Sequence, residues 1–196
     1  MNYGVGNLRS VKRGIERSGA KVLITHKIRD IIESDAIVLP GVGAFAEAVK
    51  NMSPLSSTVI QSVEDGKTLF GICLGLQLLF TRSYEGGPAD GLDLISGDIV
   101  KLPASVKIPQ MGWNTLEISQ THPLLEAIPN ESYVYFVHTY IPQPSEVGVI
   151  VATTEYGVRF PSVIAKQRIF ATQFHPEKSG KVGLTMLSNF VKIVKR

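Results

Sequence analysis

Short apolar runs alternate with amphipathic stretches through the first half of the chain. Leu8, Val11 and Ile15 recur at helical spacing and Gly19 stands where a helix stop belongs, which predicts an opening helix. Residues 21–25 read as a strand, and residues 35–39 as a second strand apolar enough to be buried on both faces. A helix is predicted from Ala44, and a further one before Gly66 leads into a strand over 68–72. After Leu92 the rhythm changes. Strand-like pieces at 99–102, 115–118, 133–137, 147–153, 162–165 and 169–174 follow closely, punctuated by Gly and Pro. Val182, Met186, Leu187, Phe190, Val191 and Val194 form the apolar face of a closing helix. The pattern predicts one α/β domain over 1–196. Its sheet is doubly wound, mostly parallel and flanked by helices, with antiparallel additions in the C-terminal half. The start departs from this scheme. Tyr3-Gly4-Val5-Gly6-Asn7 looks like a first βα turn, yet only Met1 and Asn2 precede it, so the first strand is a stub or begins upstream.

Composition narrows the classes. An apolar fraction of 44% and a charged fraction of 19% describe a folded chain with a substantial core. No apolar run approaches the ~20 residues that span a bilayer. A single cysteine forms no internal disulfide, which fits a reducing cytoplasm and a cytoplasmic protein. The net charge of +3 comes from scattered basic residues, so no nucleic-acid footprint is expected, and Cys-Cys or His-x-x-His metal spacing is missing. Gly4-Val5-Gly6-Asn7 lacks the third glycine of a dinucleotide fingerprint and the Lys of a phosphate loop.

Three stretches carry candidate chemistry. Gly71-Ile72-Cys73-Leu74-Gly75 ends an apolar strand and opens a helix-compatible run through Leu76, Leu78, Leu79 and Phe80. This is the form of a nucleophile elbow with sulfur in place of the usual serine oxygen. Glycines two before and two after Cys73 suit a turn so tight that side chains there would strike backbone. Free amides and the helix end would favour the thiolate. A lone cysteine in an apolar run also fits an inert core residue. His175-Pro176-Glu177 is the second stretch. Read as extended chain, it points His175 and Glu177 the same way, so the carboxylate can fix the imidazole and stabilise its cation. Pro40-Gly41-Val42-Gly43 follows a buried strand, on the edge where α/β sheets bind ligands, and its amides are candidates for holding an oxyanion together with the amide of Leu74. His26 and His122 lack an orienting neighbour and read as surface residues.

Taken together, Gly71-Ile72-Cys73-Leu74-Gly75-Leu76-Gln77 and His175-Pro176-Glu177 resemble the class I, triad-type glutamine amidotransferases. Tyr3-Gly4-Val5-Gly6-Asn7-Leu8, Pro40-Gly41-Val42-Gly43-Ala44-Phe45, Pro109-Gln110-Met111-Gly112-Trp113-Asn114, Tyr135-Phe136-Val137-His138-Thr139-Tyr140 and the segment from Gln173 to Ser179 narrow the likeness. They are similar to the glutaminase subunits of imidazole glycerol phosphate synthases, of histidine biosynthesis. The likeness runs from residue 3 to near the C-terminus. Leu76 stands where that family often has methionine, a volume-conserving exchange.

The resemblance implies a Cys73-His175-Glu177 triad that hydrolyses glutamine, with the oxyanion held by Leu74, Val42 and Gly43. It implies glutamine contacts from Gly41, Gln77, Glu85, Val137, His138 and Thr139, and no cofactor. It further implies a heterodimer with a (β/α)8-barrel cyclase that receives the ammonia, docked through Gly6, Asn7, Trp113, Tyr135 and Lys178. In that family the glutaminase stays idle until the cyclase binds its nucleotide. An amide near Val42 turned away from the oxyanion would explain such idling. A subunit of another class I complex, a stand-alone cysteine hydrolase and a non-catalytic scaffold are the competing expectations. A complete Cys, His and Glu set speaks against the scaffold.

Overall fold

The computed structural model describes residues 1–4 and 8–196; the docking candidates Gly6 and Asn7 lie outside the described residues. The first helix, α1 (Leu8–Glu16), buries Val11 and Ile15, and Gly19 takes the positive φ of 79° that ends such a helix. Residues 21–27 carry no ladder, contrary to the strand expected at 21–25. A strand needs a continuous partner edge, and among the described residues the neighbouring backbone supplies one bond, from the Asn2 amide to the Thr25 carbonyl at 2.7 Å. Thr25 instead prepares the next helix. Its hydroxyl accepts from the Lys27 amide and donates to Asp30 of α2 (Ile28–Glu33).

The chain continues through β1 (Ala36–Gly41), α3 (Phe45–Glu64), β2 (Thr68–Cys73) and α4 (Leu74–Gln77). One continuous helix stands where two were expected. Pro54 does not break it because Pro54 and Lys50, whose carbonyl loses its amide partner, both lie on the exposed side, within reach of water. Next come β3 (Phe80–Ser83), β4 (Ala89–Asp90), β5 (Ile95–Lys101), β6 (Gln110–Thr115) and β7 (Glu117–Ile118). The remainder comprises β8 (Tyr133–His138), β9 (Tyr140–Pro144), β10 (Ile150–Glu155), β11 (Arg159–Lys166), β12 (Ile169–Thr172) and α5 (Gly180–Val194).

The main sheet runs β1-β2-β12-β11-β10-β7. Its β1/β2 and β2/β12 pairs are parallel, and β11, β10 and β7 extend it through three antiparallel pairs, so the sheet is the mixed α/β arrangement the patterning predicts but not a mostly parallel one. Alternate residues of β2 feed opposite cores, as the strand period of two requires. Phe70 and Ile72 pack with α1, α5 and β8, and Phe70 stacks on Phe190 at 4.9 Å. Leu69 packs on the other face with Ile31 of α2 and with Phe45, Met52 and Val59 of α3. A small sheet, β4-β3-β5-β9, and the β6/β8 ribbon complete the molecule.

What matters for the site is register. Gly41 at the end of β1 sits opposite Cys73 at the end of β2, and β12 pairs with β2 up to Thr172 opposite Ile72. Three parallel strands thus deliver residues 40–43, Cys73 and residues 173–175 to one carboxyl edge.

Candidate functional site

Cys73 adopts φ 54° and ψ −107°, a strained conformation for a residue with a Cβ. The neighbouring glycines show what imposes it. A Cβ on Gly75 would lie 1.7 Å from the Leu39 carbonyl oxygen, and one on Gly71 would lie 2.7 Å from the Gly75 oxygen. Both residues therefore press on backbone, as the spacing predicts. The helix beyond the turn is shorter than expected. α4 ends at Gln77 and Phe80 already opens β3, because the apolar run through Leu78, Leu79 and Phe80 is buried among sheet residues instead of forming one helical face. A single turn supplies little macrodipole, so local hydrogen bonds to the sulfur matter more than the helix end. The amide of Leu74 begins that turn and has no partner within the helix, as befits an oxyanion donor.

His175 and Glu177 meet as expected, by a different backbone route. His175 is extended, but Pro176–Lys178 closes into a 3-10 turn. Proline at its first position already has the required φ, so the turn prevails over an extended segment. It brings Glu177 Oε1 to 2.9 Å from His175 Nδ1, with both side chains only 2% exposed. Burial pulls the His175 pKa down. Hydrogen bonding and charge from Cys73 and Glu177 outweigh it and hold the imidazole up at about 9. The buried His175 Nε2 makes no hydrogen bond of good geometry, so the Cys73 contact that raises its pKa is a loose one, and the sulfur also lies 3.6 Å from the Val137 carbonyl. The sulfur is close enough to act on the ring and also lies within reach of the strand's carbonyl.

The strand β8 anchors this arrangement from the side. The His175 amide donates to the Tyr135 carbonyl at 2.9 Å, and the Tyr135 amide donates to Ser179 Oγ at 3.0 Å. Lys178 then places Nζ over the Tyr135 ring, 5.8 Å from its centroid, and Trp113 of β6 meets the same ring edge-on at 5.7 Å. The expected docking residues Trp113, Tyr135 and Lys178 form one cluster beside the 176–178 turn. Met111 and Tyr133 share the face and are 65% and 62% exposed.

The expected glutamine contacts are spread more unevenly. Gly41 lies against Tyr3 and Leu74, with room for no side chain. Gln77 is buried, and its amide donates to the Tyr140 carbonyl at 3.1 Å and to Gln173 Oε1 at 3.3 Å. Glu85 accepts from the Phe45 amide at 3.0 Å and so caps α3, immediately after the 41–44 loop. Val137 touches the sulfur through its carbonyl. His138 is buried against Phe136 and Phe160, and burial lowers its pKa to about 4, which keeps it neutral. Thr139 offers its carbonyl to Leu102. Val42 is exposed and Gly43 takes φ 124° in the loop beside the elbow.

Two residues at the site received no role from the sequence. Tyr3 is buried, and its hydroxyl donates to the Pro40 carbonyl at 2.5 Å, beneath the 40–43 loop. Gln173 is fully buried and donates to the Cys73 sulfur at 3.7 Å. A glutamine at the end of an otherwise apolar strand, two residues before His175, was the available signal. His122 is a correction of another kind: it is half-buried against Phe170 and accepts from the Leu124 amide, so it is a structural turn residue. Among the described residues no group of three or more His, Cys, Asp or Glu is placed to hold a metal ion. No helix among them is long and apolar enough to cross a membrane.

The profile of the family described as glutamine amidotransferase class-I matches residues 1–194. The chain is 48% identical over 198 residues to an imidazole glycerol phosphate synthase subunit HisH of Natronomonas pharaonis, covering 97% of this chain and 92% of that protein. Subunits of the same name from Methanocaldococcus jannaschii and Caldanaerobacter subterraneus are 47% and 44% identical, covering 99% and 100% of this chain and 98% and 97% of theirs. Among solved structures, one described as a glutamine amidotransferase superposes with a TM-score of 0.76 at 20% identity, covering 98% of this chain and 96% of that one. The PurLQS structure from Thermotoga maritima gives 0.73 at 18%, covering 98% and 95%. These two likenesses speak for the fold.

Proposed function

The chain belongs to the class-I glutamine amidotransferase family, and we propose that it hydrolyses glutamine through Cys73, His175 and Glu177 and passes the ammonia to a cyclase subunit. It is read as the glutaminase subunit of imidazole glycerol phosphate synthase, in histidine biosynthesis. The single observation that carries the chemistry is the elbow: the strained Cys73 beside a buried His175-Glu177 pair.

The steps follow from the atoms. With its pKa held at about 9, His175 already carries the proton that Cys73 gives up, and the thiolate attacks the amide carbon of the glutamine side chain. The tetrahedral oxyanion is held by the Leu74 amide and by an amide of the 42–43 peptide. His175 gives its proton to the departing nitrogen, ammonia leaves, and a thioester remains on Cys73. His175 then deprotonates a water that attacks the thioester and releases glutamate. Glu177 keeps Nδ1 protonated and the ring oriented, so that Nε2 faces the sulfur. Gly41, Gln77, Glu85, Val137, His138 and Thr139 border the space for the glutamine. Residues 1–196 are read as one domain carrying all of this.

Ammonia freed in water would be protonated and diluted, so its consumer must seal against the site. The face bearing Met111, Trp113, Tyr133, Tyr135 and Lys178 adjoins the catalytic turn and exposes aromatic surface, which favours a docked protein there. The occupant is read as the (β/α)8-barrel cyclase that forms imidazole glycerol phosphate and aminoimidazole carboxamide ribonucleotide. A free thiol as nucleophile suits a cytoplasmic setting. Co-purification with the cyclase tests the reading: glutamate release is expected to rise when the cyclase's ribonucleotide is added. Equal rates with and without it would remove the 42–43 peptide as a switch.

A further inference from the structure

Among the described residues the Cys73 sulfur has two hydrogen-bond neighbours besides the imidazole: the Val137 carbonyl at 3.6 Å and the Gln173 side-chain nitrogen at 3.7 Å. The identity of the Gln173 atom follows from its network. The Tyr140 carbonyl only accepts, so the Gln77 atom 3.1 Å away must be the amide nitrogen. A second hydrogen on that nitrogen points at Gln173, 3.3 Å away, and requires an oxygen there. Gln173 therefore gives its oxygen to Gln77 and its NH2 to the sulfur. Gln173 is 0% exposed and Gln77 5%, so water does not compete for these groups.

The two neighbours differ in which form of the sulfur they favour. The Val137 carbonyl pairs with a thiol and repels a thiolate. An N–H donor bonds a thiolate more strongly than a thiol, because the acceptor is then charged. We infer that Gln173, its amide locked by Gln77, positions the Cys73 sulfur and stabilises its thiolate, setting the pH at which the nucleophile becomes reactive. This rests on Cys73 being the nucleophile of the proposed reaction. The other titratable groups acting here are His175, Glu177 from the 176–178 turn, Tyr3 below the 40–43 loop, and His138 of β8, which acts on His175.

The test is the pH profile of iodoacetamide alkylation of the purified chain, without glutamine or partner. Gln173→Met removes the donor at similar volume, and Gln77→Met frees the Gln173 amide to turn its oxygen toward the sulfur. Both are expected to move the midpoint upward, by on the order of one pH unit for Gln173→Met and less for Gln77→Met. Alkylation below the midpoint would then be roughly tenfold slower in Gln173→Met, with the same plateau at high pH. A midpoint matching that of the unaltered chain, in whichever variant folds, overturns the inference. So does a lowered plateau at unchanged midpoint, which would mean altered access. Glutamate release by the unaltered chain with its cyclase reports on the glutaminase reading separately.

Discussion

His175 holds its proton unusually well for an imidazole, and this links the site to folding. A raised folded-state pKa means that folding favours the protonated form. The stabilisation is complete below the ordinary value of 6.5 and is lost as pH climbs through about 9. The span corresponds to on the order of 3 kcal/mol. Urea denaturation at about pH 6 and about pH 10 is expected to show that loss in the unaltered chain, and a clearly smaller one in Glu177→Gln, where the carboxylate charge is gone. Identical pH slopes would dissociate Glu177 from the imidazolium. Tyr3 offers a second test at this scale. Tyr3→Phe removes the hydroxyl that holds the Pro40 carbonyl, at an expected cost of roughly 1 kcal/mol in stability. With the 40–43 peptide loosened, kcat for glutamine is expected to fall more than KM rises.

The elbow is the element on which the site turns, and it is the most legible part of the sequence. Gly71 and Gly75 flanking a lone cysteine after an apolar run permit few other backbones. The Leu39 carbonyl oxygen shows why, since a side chain at position 75 would begin 1.7 Å from it. Gly75→Ala is accordingly expected to destabilise by roughly 4 kcal/mol or more, or to displace β1 from β2, read as a lost denaturation midpoint. Other elements depart from expectation because their signals are local and the deciding force is not. Residues 21–25 have strand-like residues but no continuous partner edge, and ladders need two edges. Pro54 signals a break, yet it lies on the exposed side of α3, where a missing hydrogen bond is replaced by water. His175-Pro176-Glu177 reads as extended from the restriction before proline, whereas proline equally well starts a 3-10 turn. Tyr3 escapes a reading of the sequence, and Gln173 offers only its place after an apolar run, since a buried polar side chain reveals its partner only once distant strands have met.

At the scale of the whole molecule, three parallel strand ends, one antiparallel ribbon and one 3-10 turn converge on a single edge. On the proposed reading that convergence would tie catalysis to docking, because the turn bearing Glu177 also bears Lys178, which lies over Tyr135 beside Trp113. Trp113→Ala is expected to weaken cyclase binding by roughly tenfold or more in a titration, leaving the fold intact because the ring is 55% exposed. Unchanged affinity would move the interface elsewhere. The most direct measurement of the central claim follows the nitrogen itself. Glutamine labelled on its side-chain amide is supplied to the chain together with its cyclase and ribonucleotide. The label is expected in imidazole glycerol phosphate with the unaltered chain and to be absent with Cys73→Ala, which should still support product formation from added ammonia. Label arriving through Cys73→Ala, or none arriving through the unaltered chain, would contradict the account.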